Sequence, residues 1–403
     1  MSGTPKALNQ YLDPYPYFGR LRAAGRAVRI HTAFAGEAWV ITRHEDVQRL
    51  CTDPRLSVDT RHAHPELRAR LAEFAFQWTD GLPPHLGIVD PPDHTRLRGL
   101  VSREFTARRA ADLAPYVDGL VGRLLDEAAA RPAPCDLVEV LAEPLPSLVI
   151  CRLLGMGESD ARTLRPLLGA LTELPTDPAA TRRVTDARRA LWEHIEGVLR
   201  VKRRRPDSGL LSALIAAEDA DRLDDRELTS MAAMLFAAGA ETTTHMIGSA
   251  VLLLLRHPEQ RAVLLADPSL VPGAVEEFLR YDSPVTLGLI RYAAADLTLD
   301  GTTVPRGSLV FLGVALANHD ERRHADPEVV DVTRRHNPHM AFGHGVHYCL
   351  GAPLARLELR SVIARLLARH PDARLACEAR DIPWRRSALR GPAALPVHLT
   401  GER

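Results

Sequence analysis

Helical periodicity dominates this chain. Apolar residues recur three and four apart over 14–25, 43–51, 109–130, 158–171 and 178–205, again over 137–154, and longest of all over 224–257. That is the pattern of helices with one face turned to a core. Residues 275–280 and 352–359 read the same way, with Pro353 suited to a first helical turn. Alternation replaces this period only in short pieces, at 38–42, 287–293, 297–299, 303–304 and 308–312, where Asp300-Gly301 supplies a hairpin turn. Between residues 53 and 90 prolines and glycines (Pro54, Pro65, Gly81, Pro83, Pro84, Gly87) break both patterns around one helical piece near 67–76. The expected class is mainly α with small β-sheets, an α+β chain.

Composition narrows the class further. With 403 residues the length suits one large domain or two, and 46% hydrophobic with 25% charged residues is ordinary for a water-exposed globular protein. Lys+Arg and Asp+Glu both number 51, so no global charge points to nucleic acid. The five cysteines (Cys51, Cys135, Cys151, Cys349, Cys377) are scattered and odd in number, which argues against a disulfide framework and for a reducing cytoplasm. Met1 to Lys6 carries no apolar signal core, and the longest apolar run, 250–255, is too short to span a bilayer.

The densest chemistry lies at Ala341-Phe342-Gly343-His344-Gly345-Val346-His347-Tyr348-Cys349-Leu350-Gly351. Three glycines there preclude a stable helix and allow the backbone to approach something bulky closely. Cys349 comes just before a helix, whose positive end favours a thiolate. Zinc is a poor match, because no second cysteine lies near and the histidine spacing is that of no common zinc site. Haem iron needs one axial protein ligand, and cysteine is one of the few types used. Phe342-Gly343-x-Gly345-x-His347-x-Cys349-x-Gly351 resembles the haem-binding signature of the cytochrome P-450 family.

Other stretches resemble the family in the expected order. His94 and Arg98, four apart on one helical face, are similar to its propionate-gripping pair. Ala238-Gly239-Ala240-Glu241-Thr242-Thr243 sits in mid-helix, where glycine is costly and needs a reason. The resemblance implies an opening beside the iron kept free by Ala238 and Gly239. It makes Glu241 and Thr242 an acid–alcohol pair relaying protons. Thr242 can also bond inward to a backbone carbonyl. Arg291 resembles a further propionate ligand. Glu277 and Arg280 resemble the family's buried clamp, whose usual third cation is missing from Pro327-Glu328-Val329-Val330; Arg334 and Arg335 are the candidate replacements.

The resemblance implies a single domain over 1–403, with a β-rich part at about 26–42, 285–312 and 375–400. It implies haem b held through Cys349 and touched by Phe342, Gly343, His347 and Gly351. Residues 53–90 become a lid facing substrate. Leu82, Leu86, Val89, Leu235, Ala238, Val285, Leu287, Leu289 and, on a tail hairpin, Leu389 become the walls for a hydrophobic small molecule. The activity implied is a monooxygenase using O2, resembling actinobacterial tailoring enzymes for polyketides, macrolides, terpenes or peptides. Electrons would come from NAD(P)H through a ferredoxin and its reductase. The acidic ferredoxin would dock where Arg98, Arg103, Arg108, Arg356 and Arg360 gather. The expected protein is a cytoplasmic monomer binding neither membrane nor nucleic acid. Alternatives are oxidative coupling or ring formation in the same fold, and a haem-thiolate sensor or carrier, which would have no use for a proton relay.

Overall fold

The computed structural model describes residues 14–32, 34–73, 83–173, 177–220 and 222–399. Its longest element is the helix Asp225–Arg256. Asp224 starts it with a reciprocal cap: the Glu227 amide donates to Asp224 Oδ1 at 2.7 Å, and the Asp224 amide donates to Glu227 Oε2 at 3.1 Å. Arg96, on the helix Asp93–Val101, donates to the same Glu227 at 3.0 Å and so ties the two helices together. Most of the long helix is buried from Glu227 to Leu254. A helix apolar around its whole circumference belongs at the centre of a large core.

Helices pack around it. Ala107–Ala129 and Ala352–Arg369 join it through Leu124, Leu125, Leu252, Phe278 and Ile363, while Glu158–Leu171 and Pro178–Arg204 close the other side through Leu164, Leu191 and Phe236. The single helix expected over 137–154 is two pieces. A π-helical turn, Val138–Ala142, precedes Pro144–Leu154. Pro144 and Pro146 have no N–H to continue a ladder begun upstream, so the register restarts at the proline. Helices at Leu210–Glu218 and Pro258–Ala266 have no counterpart in the sequence reading. The first is apolar on nearly every side and shows no period. The second follows the long helix almost directly.

The largest sheet has five strands in the order Ala27–Thr32, Gly36–Ile41, Leu309–Leu312, Leu289–Ala293, Leu56–Ser57. The strand expected from 287 begins at Leu289 because Gly288 has φ +137°, and a Cβ there would meet the Leu312 carbonyl oxygen at 2.2 Å. Asp300 and Gly301 have φ +48° and +78°, as a two-residue hairpin turn requires. Near the end, Trp384 and Pro392 pair across a loop whose tip, at Ser387, bridges to Glu173. The tail therefore meets the end of the helix Glu158–Leu171. Among the described residues no helix is long and apolar enough to cross a membrane.

Candidate active site

The cysteine loop is shaped by its glycines. Gly343 and Gly345 have φ +71° and +75°, which L side chains rarely adopt. A Cβ on Gly345 would also strike Thr52 Cγ2 at 2.7 Å, so the loop lies directly on the Cys51–Thr52 turn. Gly351 has nothing within 4 Å of where a Cβ would be. The Cys349 amide donates to the Phe342 carbonyl at 2.9 Å, closing the loop on itself. Leu350 packs against the cluster containing Leu235, Phe236 and Ala240, which sets the loop beside the middle of the long helix.

Cys349 is accessible to solvent, yet protein crowds around it. Its exposure therefore opens into a recess. Burial pushes the thiol pKa up, while the Gly351 and Ala352 amides and the Arg98 charge pull it down. Those amides begin the helix Ala352–Arg369, with Pro353 in its first turn. They point at the sulfur and favour its thiolate.

Four basic groups converge on the same loop. The His94 and His347 rings lie 4.2 Å apart, and Arg98 Nη2 donates to the Tyr348 carbonyl at 2.8 Å. His94 is buried, and its Nε2 has no partner among the described residues. Burial, His347 and Arg98 pull its pKa down to about 4. His347 Nε2 is 3.8 Å from Asp90 Oδ1, within ion-pair range but without a hydrogen bond among the described residues. Arg291 is buried, donates to the Ile290 carbonyl at 2.7 Å and forms no ion pair among the described residues. Its pKa is lowered by desolvation. Buried cations are normally paired. Arg291 as a buried cation unpaired among the described residues and His94 as a buried imidazole with an unpartnered nitrogen, together with the half-buried Arg98 and His347 and beside an accessible thiol, suit a large group that carries carboxylates and takes a sulfur ligand. Haem b, with its propionates and iron, is such a group.

The long helix answers from the other side. Ala238, Gly239 and Thr242 are accessible within an otherwise buried run. Thr242 Oγ1 donates to the Ala238 carbonyl at 2.7 Å, the inward bond expected of it. Gly239 has a second reason for being small: its Cβ would lie 3.0 Å from Ile150 Cδ1 on the helix Pro144–Leu154, a tight contact, while Ala238 is the more exposed of the two. Glu241 is buried, and its Oε1 accepts from Thr172 Oγ1 at 2.8 Å and lies 3.2 Å from His245 Nε2. Burial would raise the Glu241 pKa, but His245 and Thr172 hold it below the usual value. His245 escaped the sequence reading, although its i, i+4 spacing from Glu241 was visible.

Behind the cysteine loop the clamp is complete. Arg280 donates to both Glu277 oxygens at 2.8 Å, and both side chains are fully buried. Arg334 is the third cation, with Nε 3.2 Å from Glu277 Oε2. Arg335 is exposed and plays no part. Asn337 donates to Glu277 as well, at 2.9 Å. Arg356, expected on a docking face, is partly exposed and also pairs within the fold: it donates to Glu276 at 2.7 Å and covers the Phe342 ring at 4.4 Å.

The expected substrate walls divide. Leu86, Val89 and Leu235 share one apolar cluster. Val285 and Leu289 pack in a second, and Leu289 Cδ1 would lie 3.2 Å from a Cβ on Gly343. Leu287 turns to a third cluster with Phe18 and Phe311, because Gly288 interrupts the strand alternation. Leu389 is half-buried on the tail loop, and Leu82 lies outside the described residues.

Comparison with known proteins fits this geometry. A family model described as Cytochrome P450 matches residues 174–371. Cytochrome P450 107B1 of Saccharopolyspora erythraea is 42% identical over 373 residues, 92% of this chain and 91% of that one. The mycinamicin IV hydroxylase/epoxidase of Micromonospora griseorubida is 38% identical over 384 residues, 94% of each. The tirandamycin C-bound P450 monooxygenase TamI superposes with a TM-score of 0.88 at 40% identity, covering 96% of this chain and 98% of that one. Identity at this level over more than nine-tenths of each chain places the chain in the cytochrome P450 family, as a monooxygenase.

Proposed function

We propose that this enzyme inserts one oxygen atom from O2 into a hydrophobic small molecule, by hydroxylation or epoxidation, as a tailoring step in the biosynthesis of a polyketide, macrolide, terpene or peptide natural product. The observation that carries the reading is Cys349, accessible in a recess and aimed at by the Gly351 and Ala352 amides, beside a long helix bearing Glu241 and Thr242. Haem b bound through Cys349 supplies the activation of O2, and a thiolate ligand favours O–O cleavage. The two amides hold the sulfur and tune its electron donation. His94, Arg98, Arg291 and His347 receive the propionates. Ala238 leaves room, Thr242 offers a hydroxyl at that opening, and Glu241 stands behind it as a carboxylate that takes up and passes on protons. Leu86, Val89, Leu235, Val285 and Leu289 exclude water and orient an apolar substrate.

Electrons reach the site from NAD(P)H through a ferredoxin and ferredoxin reductase, and the enzyme works as a cytoplasmic monomer. The relatives named as a mycinamicin IV hydroxylase/epoxidase and as a tirandamycin C-bound monooxygenase support the natural-product reading. The test is incorporation from 18O2. A macrolide and terpene panel is screened by spin-state shift, and the hits are incubated with NADPH, ferredoxin and reductase. One labelled oxygen in the product supports the reading. Dehydrogenated or cyclised product without label would replace it with oxidative coupling.

A further inference from the structure

His245 has no part in the reading above, yet its ring stands within hydrogen-bond distance of Glu241. The two side chains are 1% and 5% exposed, and Nε2 stands 3.2 Å from Oε1. Thr172 Oγ1 donates to that same Oε1 at 2.8 Å. Both contacts thus fall on one oxygen. Glu241 Oε2 takes no hydrogen bond among the described residues, so it is the oxygen left without a side-chain donor.

The imidazole itself is walled in. Gly391 presses on it so closely that a Cβ there would lie 2.3 Å from Nδ1 and 2.8 Å from the ring's Cγ. Nδ1 is buried with no partner. A proton leaving Nε2 could not be replaced through Nδ1, so His245 is a fixed donor and not a shuttle. Thr172 is fixed too, since its carbonyl accepts from Ser387 Oγ and the Ala388 amide, each at 3.0 Å. The remaining charges facing Glu241 are Arg385 and that residue's own partner, Glu143.

We propose that His245 is a positioning residue that pins Glu241 through Oε1, keeps it ionised between transfers and leaves Oε2 as the oxygen that takes up and releases the proton. This rests on the oxygen-inserting reading above. A buried carboxylate relieved of a hydrogen-bond donor to its charged form should titrate about one to three pH units higher.

The test is a difference-infrared titration of the holoenzyme, with the Glu241 carboxyl band identified by its loss in Glu241→Gln. His245→Leu should move the midpoint of that band upward by about one to three pH units. His245→Gln, which keeps an N–H donor, should recover part of the shift and guards against a poorly folded Leu variant. Thr172→Val should shift it in the same direction. A midpoint unmoved in His245→Leu, or moved equally by Leu and Gln, would overturn the proposal. The carbon-monoxide spectrum separates this from the parent reading: a protein without the thiolate band refutes both, whereas one with the band and an unmoved midpoint refutes only the role of His245.

Discussion

His94, singled out in sequence as a propionate ligand, takes its physical reason from the structure. It is buried, its Nε2 lacks a partner among the described residues, and its pKa is held near 4. A buried polar group without a partner costs stability. His94→Phe should therefore leave the haem-free protein as stable as before, or more so. In the holoenzyme the same change removes a charge-assisted bond to a propionate, worth about 1.5–3 kcal/mol. Haem transfer to apomyoglobin should be roughly tenfold faster or more. Equal haem retention in the variant and the wild type would remove His94 from the propionate set. Cys349, His94, Arg98, Glu241 and Thr242 were legible because the chemistry fixes both residue type and spacing. His245 and Arg96 were not. Each is an ordinary polar residue until the fold puts a particular carboxylate beside it. Gly239 was legible as unusual, but its second reason, Ile150 on another helix, could not be read from the chain.

At the scale of elements, the clamp holds the helix Val271–Tyr281 against the segment leading to the cysteine loop. Removing one partner of a buried ion pair costs about 3–5 kcal/mol, so Glu277→Ala should be severely destabilising. Arg334→Ala should cost about 1–3 kcal/mol in urea unfolding, and Arg335→Ala should stay within about 0.5 kcal/mol. An equal cost for the two arginines would contradict the assignment of the third cation. The neighbouring pair adds a pH dependence. Burial alone would raise the Glu276 pKa, but hydrogen bonds from His339 and Arg356 hold it down to about 2. A carboxyl depressed in the folded state stabilises fully above its unfolded value, near 4.5, and loses that contribution as pH falls toward 2. Arg356→Ala should thus cost on the order of 2 kcal/mol at pH 7, with the gap to wild type closing below about pH 3. A gap independent of pH would assign the loss to the Phe342 contact alone. Periodicity exposed the long helix and its amphipathic neighbours well. It missed Leu210–Glu218, where nearly all-round burial erases the period, and the break at Pro144, where backbone chemistry overrides side-chain pattern.

For the whole molecule, the sequence carried the class and the order of parts, because a mainly helical pattern with a few short strands leaves little choice about where the core lies. It could not show which arginines stay on the surface. Arg356 is engaged by Glu276 and Phe342 within the fold, whereas Arg103 and Arg108 are exposed and form no ion pair among the described residues. If an acidic ferredoxin docks on the cysteine side, charge reversal at Arg103 and Arg108 together should slow ferredoxin-driven turnover by about tenfold at low salt, with the difference fading as salt rises. An unchanged rate would place the electron donor elsewhere.

The central claim is that Cys349 supplies a thiolate to haem iron. It is tested most directly by the absorption spectrum of the dithionite-reduced, carbon-monoxide-bound protein, wild type beside Cys349→Ser. The account predicts a strongly red-shifted Soret band in the wild type that is lost in the variant. Absence of haem from the wild type, or a band that survives the substitution, would contradict it.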